Sequence, residues 1–408
     1  MDDVVAAASA ALGMALSEPA KLGGSDRSAV LRCRRPDGGA VMVKSYPRTV
    51  LGAESFTAEA AGLAFTAESG IGPRLLAASP QARLVVMSDL GSGPSLADVL
   101  LTGPADAAAS ALLSWARACG DLAVASAGRQ DELARLTAAH RIAPTAGSRD
   151  HWLQHRLGEI PALLAGLKIP APPGLGVDLA EVASILRPGQ YEVFSPGDIC
   201  PDNNLLTAGG IRFIDYESAE FHSGFLEAGY LSMPFSTCWC VFRLPDNLAR
   251  SAETAYRDLV SAVHPDLASD AVWRPGLRRA VAAWTLHAMT YLLDRSLIAD
   301  RPMIDDGRAA PTARQLLRYP IPARAVLLPR RRHGGTFAAW TASGGTPLDG
   351  NFGFYDTPKF WPTCRAGPDP RRRALVPCES PGTGRHQTGS RTEGADPNLS
   401  ASGAPGVG

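Results

Sequence analysis

Three side chains able to bind a cation or accept a proton are spaced along one short stretch, residues 192–217. Asp198 is followed five residues later by Asn203, and Asp215 comes at the end of the next apolar run. Hard cations such as Mg²⁺ prefer carboxylate and amide oxygens and share the rest of their coordination shell with phosphates and water. A separate carboxylate can orient an attacking hydroxyl and accept its proton. The stretch therefore predicts a metal and hydroxyl site.

Two apolar runs position this polar loop, Val193-Phe194 before it and 211–214 after it. A Gly209-Gly210 pair precedes the second run and predicts a hairpin turn. Asn204 is a second candidate amide beside Asn203, and the five-residue spacing favours Asn203. For the loop alone, a plain hairpin with polar turn residues is the alternative interpretation, because Asp, Asn and Gly are common in turns.

The stretch resembles the catalytic and metal loops of the aminoglycoside phosphotransferase and choline kinase-like family. Those loops follow a pattern near H-G-D-x-x-x-x-N, then a hairpin, then I-D-x-E or I-D-x-D. The resemblance implies that Asp198 is the catalytic aspartate, that Asn203 and Asp215 are ligands of Mg²⁺, and that ATP is the phosphoryl donor. One position departs from the pattern, since Pro196 stands where the family usually has a histidine that supports the loop.

A lysine lies inside the apolar strand predicted to end near residue 46. Strand alternation places Lys44 on the face opposite Val41 and Val43. A lysine in such a strand is unfavourable unless its amine finds a partner. The resemblance implies that Lys44 reaches the α- and β-phosphates of ATP. A lysine on an edge strand, facing water, is the alternative.

A helix is predicted over residues 54–70 from its apolar spacing, with Gly70 ending the pattern. Glu59 lies at the border of the apolar face of this helix. The resemblance implies that Glu59 pairs with Lys44 and holds it for phosphate. Glu54 and Glu68 are less well placed, and a solvent-exposed helix charge is the alternative for Glu59.

Two further segments are expected to contact the nucleotide. A Gly-Gly-Ser turn contains Gly24 and Ser25, and glycine lets a backbone approach phosphate closely. This turn resembles the short phosphate loop of the family, although a simple hairpin turn has the same composition. A later buried-type strand runs into Asp89. We interpret it as the hinge between two lobes, where backbone groups near Met87 and Asp89 would contact adenine.

The order of predicted elements, read with the resemblance, implies a bilobal α+β protein kinase-like fold. We expect a small antiparallel β-sheet N-lobe at 1–90 that binds nucleotide. A larger, mainly helical C-lobe at 91–329 would hold the catalytic loop, the metal and the acceptor. Residues 330–408 are predicted to be a mostly disordered, low-complexity tail, because Pro, Gly, Ser, Thr and Arg replace periodic apolar residues there.

The composition excludes several other classes of protein. The chain has 408 residues, with 40 Lys and Arg against 40 Asp and Glu, so no net charge favours nucleic acid or an anionic membrane as partner. Seven scattered cysteines argue for reduced thiols rather than a disulfide framework. The acidic start lacks the basic region of a signal peptide. We therefore expect a cytoplasmic protein whose partner is a small-molecule hydroxyl acceptor.

Two other groups of metal-ligating residue types are present. His151, His155 and Glu159 are spaced four apart on a predicted helix, but without an H-E-x-x-H motif they are interpreted as surface or packing residues. A C-x-C pair at 238–240 joins Cys200 as a possible metal set. No second pair completes a zinc motif, so a metal is not favoured there. The resemblance implies that this aromatic and sulfur-rich segment could line the acceptor site, but core packing is favoured.

The predicted function is transfer of the ATP γ-phosphoryl group to a small-molecule hydroxyl. Residues 218–300 carry nine acidic and seven basic side chains, which gives little support for a polycationic aminoglycoside as the acceptor. The alternative is a nucleotide-binding pseudokinase that acts as a scaffold, and Pro196 motivates it. A hydrolase has little support, because no G-x-S-x-G element supplies a nucleophile.

Overall fold

The computed structural model describes residues 1–24, 27–142, 152–187, 189–232, 238–240, 246–303, 310 and 312–318. The N-terminal strands are β1 (Ser17–Gly24), β2 (Ala29–Arg34), β3 (Ala40–Ser45), β4 (Leu75–Ser79) and β5 (Leu84–Ser88). They form one antiparallel sheet in the order β1-β2-β3-β5-β4. Helix α1 (Asp2–Leu12) precedes β1, and helix α2 (Val50–Phe65) connects β3 to β4.

The side chains of β3 alternate between the two faces of this sheet, as the sequence predicted. Val41 and Val43 are fully buried in a small core that α1 covers. Lys44 is buried on the opposite face, which it shares with Met87 of β5. Met87 belongs to the larger core to which α2 contributes. The sheet therefore holds Lys44 between itself and the rest of the protein.

Helix α2 begins at Val50 and ends at Phe65, earlier at both ends than the predicted range of 54–70. The early start has a local cause, because the Thr49 side chain caps the helix by accepting the Gly52 N–H at 3.0 Å. At the other end the chain leaves the helix through turns and reaches Gly70 with φ of +64°. Glu59 stays within the helix and is fully buried.

The second half of the described chain is mainly helical. Its helices are α3 (Leu96–Thr102), α4 (Ala105–Ser126), α5 (Gln130–His140), α6 (Trp152–Gly166), α7 (Leu175–Ala183), α8 (Gly224–Ser232), α9 (Asp246–Val263), α10 (Asp270–Ile298) and α11 (Ala313–Arg318). Helix α4 packs along α9, and α10 packs along α8. Trp115, Tyr256 and Trp273 are fully buried between these helices.

Two short β-ribbons interrupt the helices and carry the polar stretch identified in the sequence. Strand β6 (Glu192–Ser195) pairs with β9 (Glu220–Ser223), and β7 (Asn204–Thr207) pairs with β8 (Gly210–Phe213). The β7–β8 ribbon confirms the hairpin predicted at Gly209-Gly210, where Gly210 has φ of +98°. The loops 196–203 and 214–219 therefore leave the ends of rigid strands.

The predicted α+β class is confirmed, with an antiparallel N-terminal sheet followed by a helical remainder. The division at residues 90 and 91 stays a prediction. The predicted tail at 330–408, including its disorder, lies outside the described residues. Among the helices of the described residues, none is long and apolar enough to span a membrane.

Candidate active site

Asp198 lies in the loop after β6, and the backbone of this loop holds its carboxylate. The Cys200 N–H donates to Asp198 Oδ1 at 3.2 Å. Gly197 before it has φ of +95°, and a Cβ at Gly197 would lie 2.2 Å from the carbonyl oxygen of Ser218. A glycine is therefore needed for the loop 196–203 to approach the loop 214–219 this closely.

The two adjacent asparagines have different environments. The Asn204 side chain is fully buried, accepts from Trp115 Nε1 at 3.1 Å and donates to the carbonyls of Ile199 and Cys200. The Asn203 side chain is half-buried and donates through Nδ2 to the carbonyl of Asp198 at 3.3 Å. Asn204 thus fastens the loop to the helical core, which favours Asn203 as the amide with an oxygen for a cation.

Lys44 and Asp215 meet across the two halves of the protein. The Lys44 amine lies 2.8 Å from Asp215 Oδ1 and 2.8 Å from Glu59 Oε2. Burial alone would lower the pKa of Lys44, but the charges of Glu59 and Asp215 raise it well above its usual value. The lysine is therefore held as a cation, and the alternative of a water-facing edge lysine is wrong.

Glu59 is the candidate glutamate that contacts Lys44, and it is anchored on three sides. Its Oε2 accepts from Lys44, from the Tyr46 hydroxyl at 2.8 Å and from the Tyr216 N–H at 3.2 Å. Burial raises the pKa of Glu59, and the charge of Lys44 offsets only part of this rise. The resulting pKa is about 7. The structure thus rules out the interpretation of Glu59 as a solvent-exposed helix charge.

Negative charge dominates this cluster and affects Asp198. Burial, together with the nearby charges of Asp215 and Asp202, raises the pKa of Asp198 from its usual value near 3.8 to about 6. Nearby carboxylates repel one another and so favour protonation. A divalent cation between Asn203 and Asp215 would relieve this repulsion, so the residues present fit a bound Mg²⁺.

Comparisons with known proteins identify the fold. No protein-family model and no curated protein matches the sequence. A solved structure from Ralstonia eutropha, assigned as an aminoglycoside phosphotransferase, superimposes with a TM-score of 0.50 at 12% identity, over 76% of this chain and 91% of that chain. The chain has the kinase-like fold of the aminoglycoside phosphotransferases.

Two other solved structures are similar at lower TM-scores. A choline/ethanolamine kinase family protein from Mesorhizobium loti gives 0.44 at 15% identity, over 80% of this chain and 92% of that chain. The macrolide 2′-phosphotransferase MphH from Brachybacterium faecium gives 0.42 at 16% identity, over 81% and 100%. The predicted resemblance is confirmed at the level of the kinase-like fold by the structure from Ralstonia eutropha.

The departure at Pro196 does not leave the loop of this kinase-like fold unsupported. Pro196 is buried, and the Ser195 hydroxyl accepts the Gly197 N–H at 3.0 Å. The contact of Gly197 with Ser218 and the bond from the Cys200 amide complete the support for Asp198. Neighbouring backbone and side-chain groups therefore hold the loop of Asp198 in place.

Two charged residues of the site were not among the predicted site residues. Glu217 is buried, and its Oε2 lies 3.4 Å from the Lys44 amine. Its Oε1 lies 2.9 Å from Nη1 of Arg27, which follows β1. The acidic residue two positions after Asp215 was a visible signal for Glu217. No sequence pattern indicated Arg27, because its partner is 190 positions away in the chain.

The predicted nucleotide contacts are only partly described. Gly24 ends β1 and pairs with Ala29, whereas Ser25 lies outside the described residues. Met87 is buried on the same sheet face as Lys44. Asp89 accepts from Arg32 Nε at 2.7 Å and from the Gly91 N–H at 2.9 Å, so its carboxylate shapes the turn after β5. Their contacts with adenine and phosphate stay predictions.

The histidine set on α6 is a surface feature where the structure describes it. His155 Nε2 lies 3.1 Å from Glu159 Oε1, and both side chains are exposed. His151 lies outside the described residues. This agrees with the interpretation of these histidines as surface residues. Cys200, Cys238 and Cys240 are buried in the large core, which confirms core packing for the C-x-C pair, and Cys200 and Cys238 also lie close to Asp202.

Proposed function

We propose that the protein is an ATP-dependent phosphotransferase that transfers the γ-phosphoryl group to the hydroxyl of a small molecule. One observation carries the proposal. The Lys44 amine lies 2.8 Å from Glu59 and 2.8 Å from Asp215, beside the loop that contains Asp198 and Asn203. Five residues of the types that phosphoryl transfer needs thus occur in one cluster of a kinase-like fold.

Each residue has a distinct role in this proposal. Asp198 orients the acceptor hydroxyl and takes its proton, which suits a carboxylate whose pKa is raised to about 6. Lys44 binds the α- and β-phosphates and is held in place by Glu59. Asn203 and Asp215 hold Mg²⁺ through an amide and a carboxylate oxygen. When bound, this ion supplies positive charge to the phosphate oxygens, and catalysis consists of positioning and electrostatics.

Asp215 has one carboxylate oxygen for Lys44 and a second for the proposed Mg²⁺. Its Oδ1 accepts from Lys44 and from the Glu217 N–H at 3.1 Å, which leaves Oδ2 as the oxygen directed to a cation. The Asp215 side chain keeps 21% of its surface exposed, whereas that of Glu59 is fully buried. A metal and its phosphates can therefore reach Asp215 from solvent, and Glu59 is restricted to holding the lysine.

The acceptor is proposed only as a class. The similar structures are named for kinases of choline or ethanolamine and for phosphotransferases of aminoglycosides and macrolides. All of these compounds offer an alcohol group, and we propose the same kind of acceptor here. The pseudokinase alternative rests on Pro196 and predicts binding of Mg-ATP without transfer to any acceptor.

The test is release of ADP from Mg-ATP in the presence of a panel of alcohols that includes choline, ethanolamine, sugars, aminoglycosides and macrolides. Asp198→Asn serves as the blank, and Asp121→Asn, an exposed aspartate on α4, is the matched control. We expect acceptor-dependent release that Asp198→Asn abolishes and Asp121→Asn retains. Mg-ATP binding without release on any acceptor would favour the pseudokinase, and release that survives in Asp198→Asn would overturn the role of Asp198.

A further inference from the structure

A second cluster of metal-ligating side chains lies on the other side of the Asp198 loop. Cys200 and Asp202 come from this loop, and Cys238 comes from a segment 36 residues beyond Asp202. The two Sγ atoms and one carboxylate oxygen of Asp202 all lie within 4.8 Å of one another. None of the proposed phosphotransfer steps uses these side chains.

The spacing of the donor atoms matches one metal chemistry. Zinc binds thiolate at about 2.3 Å and carboxylate oxygen at about 2.1 Å in tetrahedral geometry, so sulfur and oxygen ligands of one ion are about 3.6 Å apart. Cys238 Sγ lies 3.6 Å from Asp202 Oδ1. Cys238 and Asp202 are therefore spaced as sulfur and oxygen ligands of one zinc ion would be, and the Sγ of Cys200 lies within 4.8 Å of their donor atoms.

The surroundings of the cluster orient its ligands. Trp239 Nε1 donates to Asp202 Oδ2 at 2.6 Å, which turns Oδ1 toward Cys238. The Tyr230 hydroxyl contacts Cys200 Sγ at 3.3 Å. Ligands held by such outer hydrogen bonds are typical of protein metal sites. Cys200 and Cys238 are buried and, in the described structure, are free thiols.

We propose that Cys200, Asp202 and Cys238 bind a zinc ion that is separate from the magnesium of the proposed phosphotransfer. Zinc would displace the two thiol protons to the buffer and be held by two thiolates and one carboxylate. Soft thiolate ligands select zinc over magnesium. The ion would tie the loop of Asp198 to the segment 238–240, since the Cys200 amide holds the Asp198 carboxylate. Three protein ligands would leave the fourth position of the zinc ion to water.

Cobalt(II) is the probe, because thiolate ligands give it an intense near-ultraviolet charge-transfer band. The full chain would carry Cys364→Ser and Cys378→Ser, which removes the two cysteines outside the described residues. After chelation under reducing conditions, we expect about one cobalt per chain with the thiolate band, displaced by added zinc. Absence of the band at stoichiometric cobalt would overturn the proposal.

Variants identify the ligands. Cys200→Ser and Cys238→Ser should each abolish the band, whereas Cys33→Ser, a buried thiol of β2, should keep it. Trp239→Phe removes only the donor to Asp202 and should weaken zinc binding by roughly 10–100-fold. Equal cobalt binding by the Cys33 and Cys238 variants would overturn the assignment.

The wild-type chain gives an answer even if a serine variant fails to fold. Zinc content of protein purified without added chelator, and a zinc-dependent rise in the unfolding temperature, are both expected. Intact mass spectrometry showing a Cys200–Cys238 disulfide in that protein would overturn the proposal in favour of a redox pair. These readouts do not depend on phosphotransferase activity, so failure of one proposal is distinct from failure of the other.

Discussion

The amine of Lys44 lies 2.8 Å from Asp215 Oδ1, although the two residues are 171 positions apart in the chain. This contact joins the third strand of the N-terminal sheet to the loop that follows the β7–β8 ribbon. The same amine contacts Glu59, so three elements depend on one buried charge.

Replacing Lys44 with methionine should destabilise the fold as well as weaken ATP binding. Removing one partner from a buried ion pair leaves uncompensated charge and typically costs about 3–5 kcal/mol. Urea unfolding would measure the loss, with Lys21→Met, an exposed lysine of β1, as the control. The double variant with Glu59→Gln should recover part of the loss. Equal unfolding free energies for the Lys44 and Lys21 variants would contradict the pairing.

Asp215→Asn should weaken the binding of Mg-ATP about tenfold or more, a change of at least about 1.4 kcal/mol. The amide preserves the shape of the side chain but removes the charge that attracts the cation. Calorimetric titration with ATP at fixed magnesium would measure it, with Asp121→Asn as the matched control. An affinity equal to that of the control would exclude Asp215 as a metal ligand.

The adjacent asparagines should separate function from stability. Asn203→Ala is expected to lose magnesium-dependent turnover while unfolding near the wild-type denaturant midpoint. Asn204→Ala removes three buried hydrogen bonds, one from Trp115 Nε1 and two to carbonyls, and each lost bond costs about 0.5–1.5 kcal/mol. Circular dichroism in urea would measure stability. Loss of stability in Asn203→Ala together with loss of turnover in Asn204→Ala would assign Asn204, and not Asn203, as the metal ligand.

The pH dependence of turnover should report Asp198. The pKa of this carboxyl is raised to about 6, and the deprotonated form accepts the proton of the acceptor. Activity should therefore be present above pH 6 and fall as the pH is lowered through it. The pH profile of kcat/KM for the acceptor reports groups of the free enzyme. A profile that stays flat down to pH 5 would argue against Asp198 as the base.

A buried His222–Glu227 pair predicts a second pH dependence, this time of stability. His222 Nε2 lies 2.8 Å from Glu227 Oε1. Burial alone would lower the pKa of His222, but the neighbouring carboxylates of Glu220 and Glu227 raise it to about 9. The folded state therefore binds the proton more tightly. Its stabilisation, roughly 3 kcal/mol at most, should be complete below the unfolded pKa near 6.5 and be lost as the pH rises through 9.

Urea unfolding at pH 6 and at pH 10 would measure this difference. His222→Gln should flatten the dependence, whereas His155→Gln, an exposed histidine of α6, should leave it unchanged. An unfolding free energy of the His222 variant that falls as steeply with pH as that of the wild type would assign the effect to another group.

The sequence by itself determined the local chemistry of this protein. Strand alternation put Lys44 on one face of β3, and the spacing of Asp198, Asn203 and Asp215 around a hairpin identified the polar loops. These are properties of residues within a few positions of each other, where periodicity and turn chemistry act directly. The α+β fold class, expected from the order of predicted elements read with the family resemblance, was confirmed by the structure.

Only the tertiary structure decided which distant groups meet. Glu217 contacts Lys44 and Arg27. Asn204 accepts a hydrogen bond from Trp115, and Cys238 lies 3.6 Å from Asp202. Contacts between residues far apart in the chain leave no periodic signal, because they arise when whole elements pack together. The raised pKa values of Glu59 and Asp198 have the same origin, since burial and neighbouring charge exist only after packing.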